Sequence, residues 1–299
     1  MTTLNTGISK AVIVAGGRGT RFLPATLAIP KEILPILDRP VLFYALEEAA
    51  NSGLTDIVLI SAPGKAVMEN FVTLRVADLE RALGDHPSGP EVRRLMDALT
   101  VTIVHQEQPL GLGHAILQAA DAVGDEPFAV ILPDDIVDAP EPVLAQMIRA
   151  HSQFPGIHIG VEHVPPETVS AYGIVAIEPA VNEQQSTEQD GIFRVTGMVE
   201  KPAPSDAPSD LGIVGRYILP GAIFDAIRRT PPGARNEIQI TDAMEILRAE
   251  GTPAYALAFD GIRYDAGNPL GHLRAAAAFA LSRPDMADAA RTILKDALS

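Results

Sequence analysis

The chain has 299 residues, with 23 Lys and Arg against 38 Asp and Glu, a formal charge of −15, 47% apolar residues and no cysteine. The negative balance argues against a nucleic-acid partner, which needs a basic face, and the absence of cysteine excludes disulfides, thiol catalysis, Cys-based zinc sites and iron–sulfur clusters. The apolar content suits a domain with a substantial core, while the apolar runs fall short of the ~18 residues of a membrane span and MTTLNTGISK lacks the basic start of an export signal, so the expectation is a cytoplasmic protein with no membrane partner.

Short β-rich runs alternate with helical patterns from the start: KAVIVA (10–15), DIVLIS (56–61), VTIVHQ (101–106) and FAVILP (128–133). Near-continuous apolar strands need both faces covered, and each crossover must return the chain to the same edge, so the first half predicts a doubly wound parallel sheet. Val41 to Ser52 carries helical apolar spacing and stops at Gly53, and residues 65–99 predict helices with a loop at 84–90. After residue 155 strand-like runs follow one another with little helix between (IHIGVEHV, YGIVAIEP, FRVTGMVEKP, LGIVGRYILP), which predicts antiparallel strands added to the sheet. NEQQSTEQDG (182–191) and APSDAPSD (203–210) have the composition of surface loops. Helices at 220–229, 240–250 and 269–298 close the chain, interrupted by the strand AYALAF and by Pro284. No hexapeptide period is present, so no β-helix domain is expected.

The first strand runs into Ala15-Gly16-Gly17-Arg18-Gly19-Thr20-Arg21. Glycines at the carboxyl end of such a strand let the backbone approach a phosphate, and their N–H groups form an anion cradle. The dinucleotide fingerprint G-x-G-x-x-G fails because position 22 is Phe, and the P-loop fails because no G-K-[ST] follows. A tight turn that uses glycine only for its conformation is the alternative; two arginines in the loop, of little packing value, favour an anion.

AGGRGTRFLPATLAIPKEILPILDRPVLFYALEEA resembles the opening of the sugar-1-phosphate nucleotidyltransferases, whose pattern is G-x-G-T-R followed by a P-K loop. The resemblance continues in the family's order through QEQPLGLGHAIL, FAVILPDDI, AYGIVAIE, GMVEKP, SDLGIVGRYIL, NEIQITDAMEIL and RYDAGNPLGHL, over nearly the whole chain. It is nearest to the branch that uses UTP and glucose 1-phosphate. Two positions depart from that branch: Leu27 stands where a lysine is usual and is similar to the thymidylyltransferases, and RYDAG replaces RYDCG. The fold implied is α/β, a Rossmann-like doubly wound mixed sheet of the nucleotidyltransferase type with antiparallel strands in the second half. One domain is expected over 1–299, with a nucleotide-binding half at about 8–155, a sugar-phosphate-binding half at about 156–283 and a C-terminal helix at about 284–299. The activity implied is transfer from UTP to α-D-glucose 1-phosphate, giving UDP-glucose and pyrophosphate, by a homo-oligomer (dimer or tetramer). Use of dTTP is the alternative within the family. A non-catalytic nucleotide-sugar sensor is the alternative outside it, and would have no need of Arg21, Lys31, Asp134, Lys201 and Asp265 together.

The nucleophile of such a reaction is a phosphate already ionised at neutral pH, so no general base is needed; positive charge is needed instead, to bring two anions together. Two like unit charges at ~5 Å repel by about 3 kcal/mol at an effective dielectric of ~20. The resemblance places Arg21 and Lys31 on the triphosphate and Lys201 on the sugar phosphate, with Arg18 as an auxiliary. Ala15, Gly16, Gly17, Gly19, Thr20 and Glu32 join the nucleotide site. Mg²⁺ is implied on Asp134, which follows the strand FAVILP, and Asp265 in YDAG, since a hard cation takes carboxylate and phosphate oxygens. The adjacent Asp135 reads more simply as a loop carboxylate or helix cap. Gln106 and Gly111 are the base readers, because an amide both donates and accepts and so matches the imide edge of uracil or thymine; Gln108 competes with Gln106. Glu200 and the N–H of Gly173 are assigned to the sugar. The histidines, His114 included, are expected to be structural or at the surface.

Overall fold

The first apolar run forms strand β1 (Lys10–Val14), and its side chains alternate between two cores: Ala11 and Ile13 enter one, Val12 the other. A strand buried on both faces belongs in the middle of a sheet with helices on either side. The computed structural model, which describes residues 7–73, 81, 84–86, 88–178, 191–233 and 236–298, has that arrangement. The remaining strands are β2 (Pro35–Ile36), β3 (Arg39–Pro40), β4 (Asp56–Ser61), β5 (Thr100–His105), β6 (Phe128–Ile131), β7 (Asp135–Asp138), β8 (Ile157–His163), β9 (Gly173–Ile177), β10 (Ile192–Glu200), β11 (Leu211–Leu219), β12 (Ala254–Ala258) and β13 (Ile262–Asp265).

The main sheet runs β5-β4-β1-β6-β11-β8-β12-β10-β9. Its first four strands are parallel, and β11 enters antiparallel to both β6 and β8. The chain builds outward from β1 through β4 and β5 and then returns to place β6 on the other side, so the order reverses between β1 and β6. Ligands of open α/β sheets bind outside the carboxyl ends of strands at such a switch point. The two segments that leave there are the glycine loop after β1 and Leu132–Asp135 after β6.

One layer holds the helices Val41–Asn51, Ala66–Val72 and Val143–Gln153 against Ile13, Leu59 and Ile131. The other holds Leu112–Leu117, Ile223–Arg229 and Ile240–Ala249 against Val12, Val58 and Tyr217, with Phe128 and Phe224 stacked at 5.1 Å. A smaller core of Ile36, Val41, Ile136, Tyr264 and Ala275 lies under the helix Pro269–Ser282. No helix among the described residues is long and apolar enough to cross a membrane.

The expected elements are present with shifted ends: β6 stops at Ile131, the first long helix at Asn51, and the closing helical stretch divides into Pro269–Ser282 and Ala287–Asp296 around Pro284. The strand AYALA, to which the sequence assigned no direction, pairs parallel to β8 and antiparallel to β10, since the helix Ile240–Ala249 carries the chain back along the sheet before it. One expectation needs correction. The loop at 84–90 is shorter than expected, because a helix begins at Gly89. The expected loop at 182–191 lies, but for Gly191, outside the described residues, whereas 203–210 is a mostly exposed connection with one turn at Pro204–Asp206.

Candidate active site

The glycine loop is held from below. The Ala15 N–H extends the β1–β4 ladder to Ile60 O at 2.9 Å, and the Ala15 carbonyl accepts from the Lys65 ammonium, which also donates to Glu32 Oε2 at 2.8 Å. Glu32 is fully buried and its Oε1 has no partner among the described residues; burial pushes its carboxyl above the ordinary pKa and pushes the Lys65 ammonium below its own. Glu32 therefore lies under the loop, where it steadies the loop's first peptide. At Gly16 a Cβ would stand 3.1 Å from Gln106 Oε1, and Gly19 combines φ of 64° with a Cβ position 3.0 Å from Thr26 Cγ2. Glycine meets both demands without strain. Thr20 and Arg21 follow in one short turn, Thr20–Phe22, and both are exposed.

Above this loop is a hollow of about 360 Å³ whose walls include Gly16, Gly17, Arg18, Lys65 and Gln106. The Gln106 side chain is fixed: Nε2 donates to Gly111 O at 3.2 Å and to His114 Nδ1 at 2.9 Å. Its Oε1 is thereby turned toward Gly16 as an acceptor. Burial lowers the His114 pKa, so the ring stays neutral and Nδ1 can accept. Gly111 has φ of 106°, and a Cβ there would lie 2.7 Å from Ile238 O, so this turn requires glycine to pack on the second half of the chain. Gln108 is exposed and outside the walls of this hollow, while Leu27, 80% exposed, stands at its edge.

A second hollow, also about 360 Å³, opens beside the first and is bounded by Arg21, Asp134, Gly173, Glu200, Lys201 and Asp265 among others. Asp134 and Asp265 come from segments far apart in sequence. The β7–β13 ribbon joins them: Asp265 pairs in register with Asp135, and the Ala266 N–H donates to Asp134 O at 2.7 Å. At Gly267 a Cβ would stand 2.6 Å from Asp134 Oδ2 and 3.0 Å from Asp265 Oδ1, so the two carboxylates flank one point that only a residue without a Cβ leaves clear. Asp265 is oriented by the Gly267 N–H at 3.0 Å and Asn268 Nδ2 at 2.9 Å. Lys31 Nζ bonds Asp134 Oδ2. Burial is the largest single influence on each and opposes both charges, but the neighbours together outweigh it: Asp134, Glu32 and Asp135 hold the Lys31 ammonium above its ordinary pKa, and Lys31, a backbone hydrogen bond and Arg21 hold the Asp134 carboxyl below its own.

Asp135 turns away, accepting from Arg263 Nε at 2.6 Å and from the Gly215 N–H at 3.1 Å. Burial raises its pKa against the pull of Arg263. Among the described residues no group of three or more acidic or histidine side chains could hold a metal by itself. Two converging carboxylates fit a hard divalent cation whose remaining positions are filled by phosphate and water oxygens.

The floor of the second hollow is Gly173, where a Cβ would stand 3.1 Å from Glu200 Oε2. Glu200 Oε2 accepts from Thr241 Oγ1 at 2.9 Å, and its Oε1 accepts from Lys201 Nζ at 2.5 Å. Lys201 has φ of 48°, a conformation that costs a non-glycine residue about 1–3 kcal/mol; its N–H bond to Tyr172 O at 3.0 Å holds it there. Arg21, Asp134, Gly173, Glu200, Lys201 and Asp265 thus share one hollow, with Gly16, Gly17 and Gln106 in the neighbouring one. Ala15, Gly19, Thr20, Lys31, Glu32 and Gly111 shape the loops between and beneath them. Lys65, His114, Thr241, Arg263 and Gly267 also build the site; all but Lys65 sit inside motifs that the sequence displays, but their contacts cross between segments and have no local signature.

The family model for nucleotidyl transferases matches residues 10–281. A UTP–glucose-1-phosphate uridylyltransferase of Bacillus subtilis is 41% identical over 295 residues, covering 97% of this chain and 96% of the relative. Among solved structures, a UDP-glucose pyrophosphorylase complexed with UDP-glucose superposes with a TM-score of 0.82 at 38% identity, over 92% of this chain and 100% of that one. The UTP-bound UGPase of Acinetobacter baumannii gives 0.83 at 35% identity, over 96% and 98%.

Proposed function

The chain belongs to the nucleotidyl transferase family, and on that premise we propose that it transfers the uridylyl group of UTP to α-D-glucose 1-phosphate, giving UDP-glucose and pyrophosphate. The observation that carries the reading is the pair of adjoining hollows, one built on the glycine loop and Gln106, the other on Gly173, Glu200 and Lys201, with Asp134 and Asp265 converging in the second. Full-length relatives that bear the uridylyltransferase name support the same substrates.

In this account a phosphate oxygen of the sugar 1-phosphate attacks the α-phosphorus of UTP, and the bond from that phosphorus to the bridging oxygen of the β-phosphate breaks. Arg21 and Lys31 hold the triphosphate, and Lys201 holds the sugar phosphate. Lys31 acts as a fixed charge: its raised pKa keeps the ammonium protonated, so it does not serve as a base. Asp134 and Asp265 would hold Mg²⁺, which when bound supplies positive charge against the reacting phosphates. Backbone N–H groups of Gly16, Gly17, Gly19 and Thr20 face the nucleotide; Ala15, whose N–H is spent on Ile60 O, anchors the start of the loop, with Glu32 steadying it from beneath through Lys65. Gln106 Oε1 accepts from the base N3–H, and the Gly111 turn limits the pocket to one ring. Glu200 and the Gly173 N–H take the sugar hydroxyls.

Use of dTTP is a second reading, favoured by Leu27 at the edge of the nucleotide hollow, because uracil and thymine differ by one methyl, worth only ~1–3 kcal/mol in a pocket. A pyrophosphate-release panel of UTP, dTTP, ATP and GTP crossed with several sugar 1-phosphates separates the readings. The expected order is UTP, then dTTP, then the purines by a much wider margin; preference for a purine would refute the base site.

A further inference from the structure

We propose that Arg263 reads the sugar: the two hydrogens of its Nη2 donate to hydroxyl oxygens of the sugar 1-phosphate, facing the accepting carboxylate of Glu200. This rests on the sugar-phosphate assignment of the second hollow, which Arg263 lines. A guanidinium has five N–H donors. Nε is spent on Asp135 Oδ1 at 2.6 Å, and Nη1 on Glu162 Oε1 at 2.5 Å and the Tyr172 hydroxyl at 3.3 Å. Nη2 has no acceptor among the described residues, and it is not one of the sealed, unpartnered polar atoms, so it opens into the hollow.

Arg216 shows what a purely structural arginine looks like in this fold. Its Nε and Nη2 bond Glu48, and its remaining donors are taken by Leu132 O, Gly215 O and Asp135 O, which leaves nothing for a ligand. Arg263 is anchored with similar firmness, its side chain 9% exposed and its guanidinium 5.4 Å from the Tyr172 ring centroid, yet one edge is unused. The plane is therefore fixed and the two donors are aimed.

Charge separates a hydroxyl from a phosphate as the target. Asp135 and Glu162 already offset the Arg263 charge, so its free edge offers oriented N–H groups with little net field. Hydroxyl oxygens suit that edge, while the phosphate is better served by Lys201, which also lines the hollow and whose N–H bonds the Tyr172 carbonyl. Vicinal hydroxyls both donate and accept, and Glu200 with Arg263 supplies the two complementary partners.

The test compares kcat/KM for glucose 1-phosphate and its 2-, 3-, 4- and 6-deoxy analogues in the wild type, Arg263→Lys and Tyr172→Phe. Lysine keeps the charge between Asp135 and Glu162 but lacks the fork; phenylalanine removes one anchor of the guanidinium and leaves both ion pairs. In the wild type each deoxy position whose hydroxyl meets Nη2, one or two of them, should cost about 10–100-fold, the scale of a hydrogen bond to a charged donor. In Arg263→Lys that penalty should shrink to about twofold while the other positions keep theirs and KM for UTP stays put, with Tyr172→Phe in between. Deoxy penalties that are the same in wild type and Arg263→Lys, or a KM for UTP that rises with the loss, would overturn the proposal, and if the lysine variant does not fold the same comparison with Tyr172→Phe decides it. Wild-type turnover of UTP with the undeoxygenated sugar checks the activity itself: without it the activity reading falls and this proposal falls with it, whereas turnover with unaltered deoxy penalties removes Arg263 alone.

Discussion

Gly267 is the smallest feature on which the candidate centre depends. A methyl group there would stand 2.6 Å from Asp134 Oδ2, closer than real contacts allow, and 3.0 Å from Asp265 Oδ1, tighter than most, so the Asp134 carboxylate must move. Gly267→Ala is expected to lower kcat by about 10²-fold, the effect of an ångström-scale misplacement, with a melting temperature within a few degrees of wild type because Gly267 is not part of a main core. Steady-state kinetics beside a thermal melt decide it; wild-type kcat would mean that the two carboxylates need not converge. Much of the residue chemistry was legible in the sequence, since the G-x-G-T-R, PKE and EKP motifs carry their charged residues locally. The parts played by Lys65, Thr241 and Arg263 were not, although Thr241 lies within NEIQITDAMEIL and Arg263 within RYDAGNPLGHL, because only the fold brings these side chains to Glu32, Glu200 and Asp135.

At the scale of elements, the helix Val41–Asn51 is joined to β11 and to the loop after β6 by one buried pair, Arg216 and Glu48, with side chains 1% and 9% exposed. Removing one partner of such a pair leaves a buried charge uncompensated and costs about 3–5 kcal/mol. Arg216→Met is expected to lose that much in urea denaturation, and Arg216→Met with Glu48→Met to recover part of it; an equal or larger loss in the double variant would show that the backbone carbonyls held by Arg216, and not Glu48, set the cost. The same helix carries Glu47, whose carboxyl is pushed up to about 7, first by burial and then by the hydrogen bond it shares with Glu91, against the opposing Arg39. A folded pKa above the unfolded value means that the native state binds the extra proton. This contribution is complete below the ordinary value of 4.5 and is lost as pH rises through about 7. Glu47→Gln should therefore gain stability relative to wild type at pH 8 but little at pH 4, measured by denaturant unfolding at both; a pH-independent difference would place the titration elsewhere. The parallel strands were legible because burial on both faces writes a continuous apolar run. The β7–β13 ribbon was not, since its short strands alternate weakly and their pairing spans half of the chain.

At the scale of the molecule, an acidic chain of charge −15 gathers cations at one sheet edge. Arg21 and Lys31 come from the connection after β1, and Lys201 and Arg263 from two segments far along the chain, while the Gly111 turn packs its backbone against Ile238 to join the Gln106 segment to the one that lines the second hollow. The topological switch between β1 and β6 puts the glycine loop and Asp134 at that edge, and the ribbon adds Asp265. The central claim is that these parts perform one chemical step, joining a uridylyl group to glucose 1-phosphate. Phosphorus NMR of the wild type, Asp134→Asn and Asp265→Asn with UTP, glucose 1-phosphate and Mg²⁺ tests it most directly. UDP-glucose and pyrophosphate are expected to appear in equal amounts with the wild type and at rates orders of magnitude lower with either folded variant. Formation of UMP and pyrophosphate without UDP-glucose, or near wild-type rates in either variant, would contradict it.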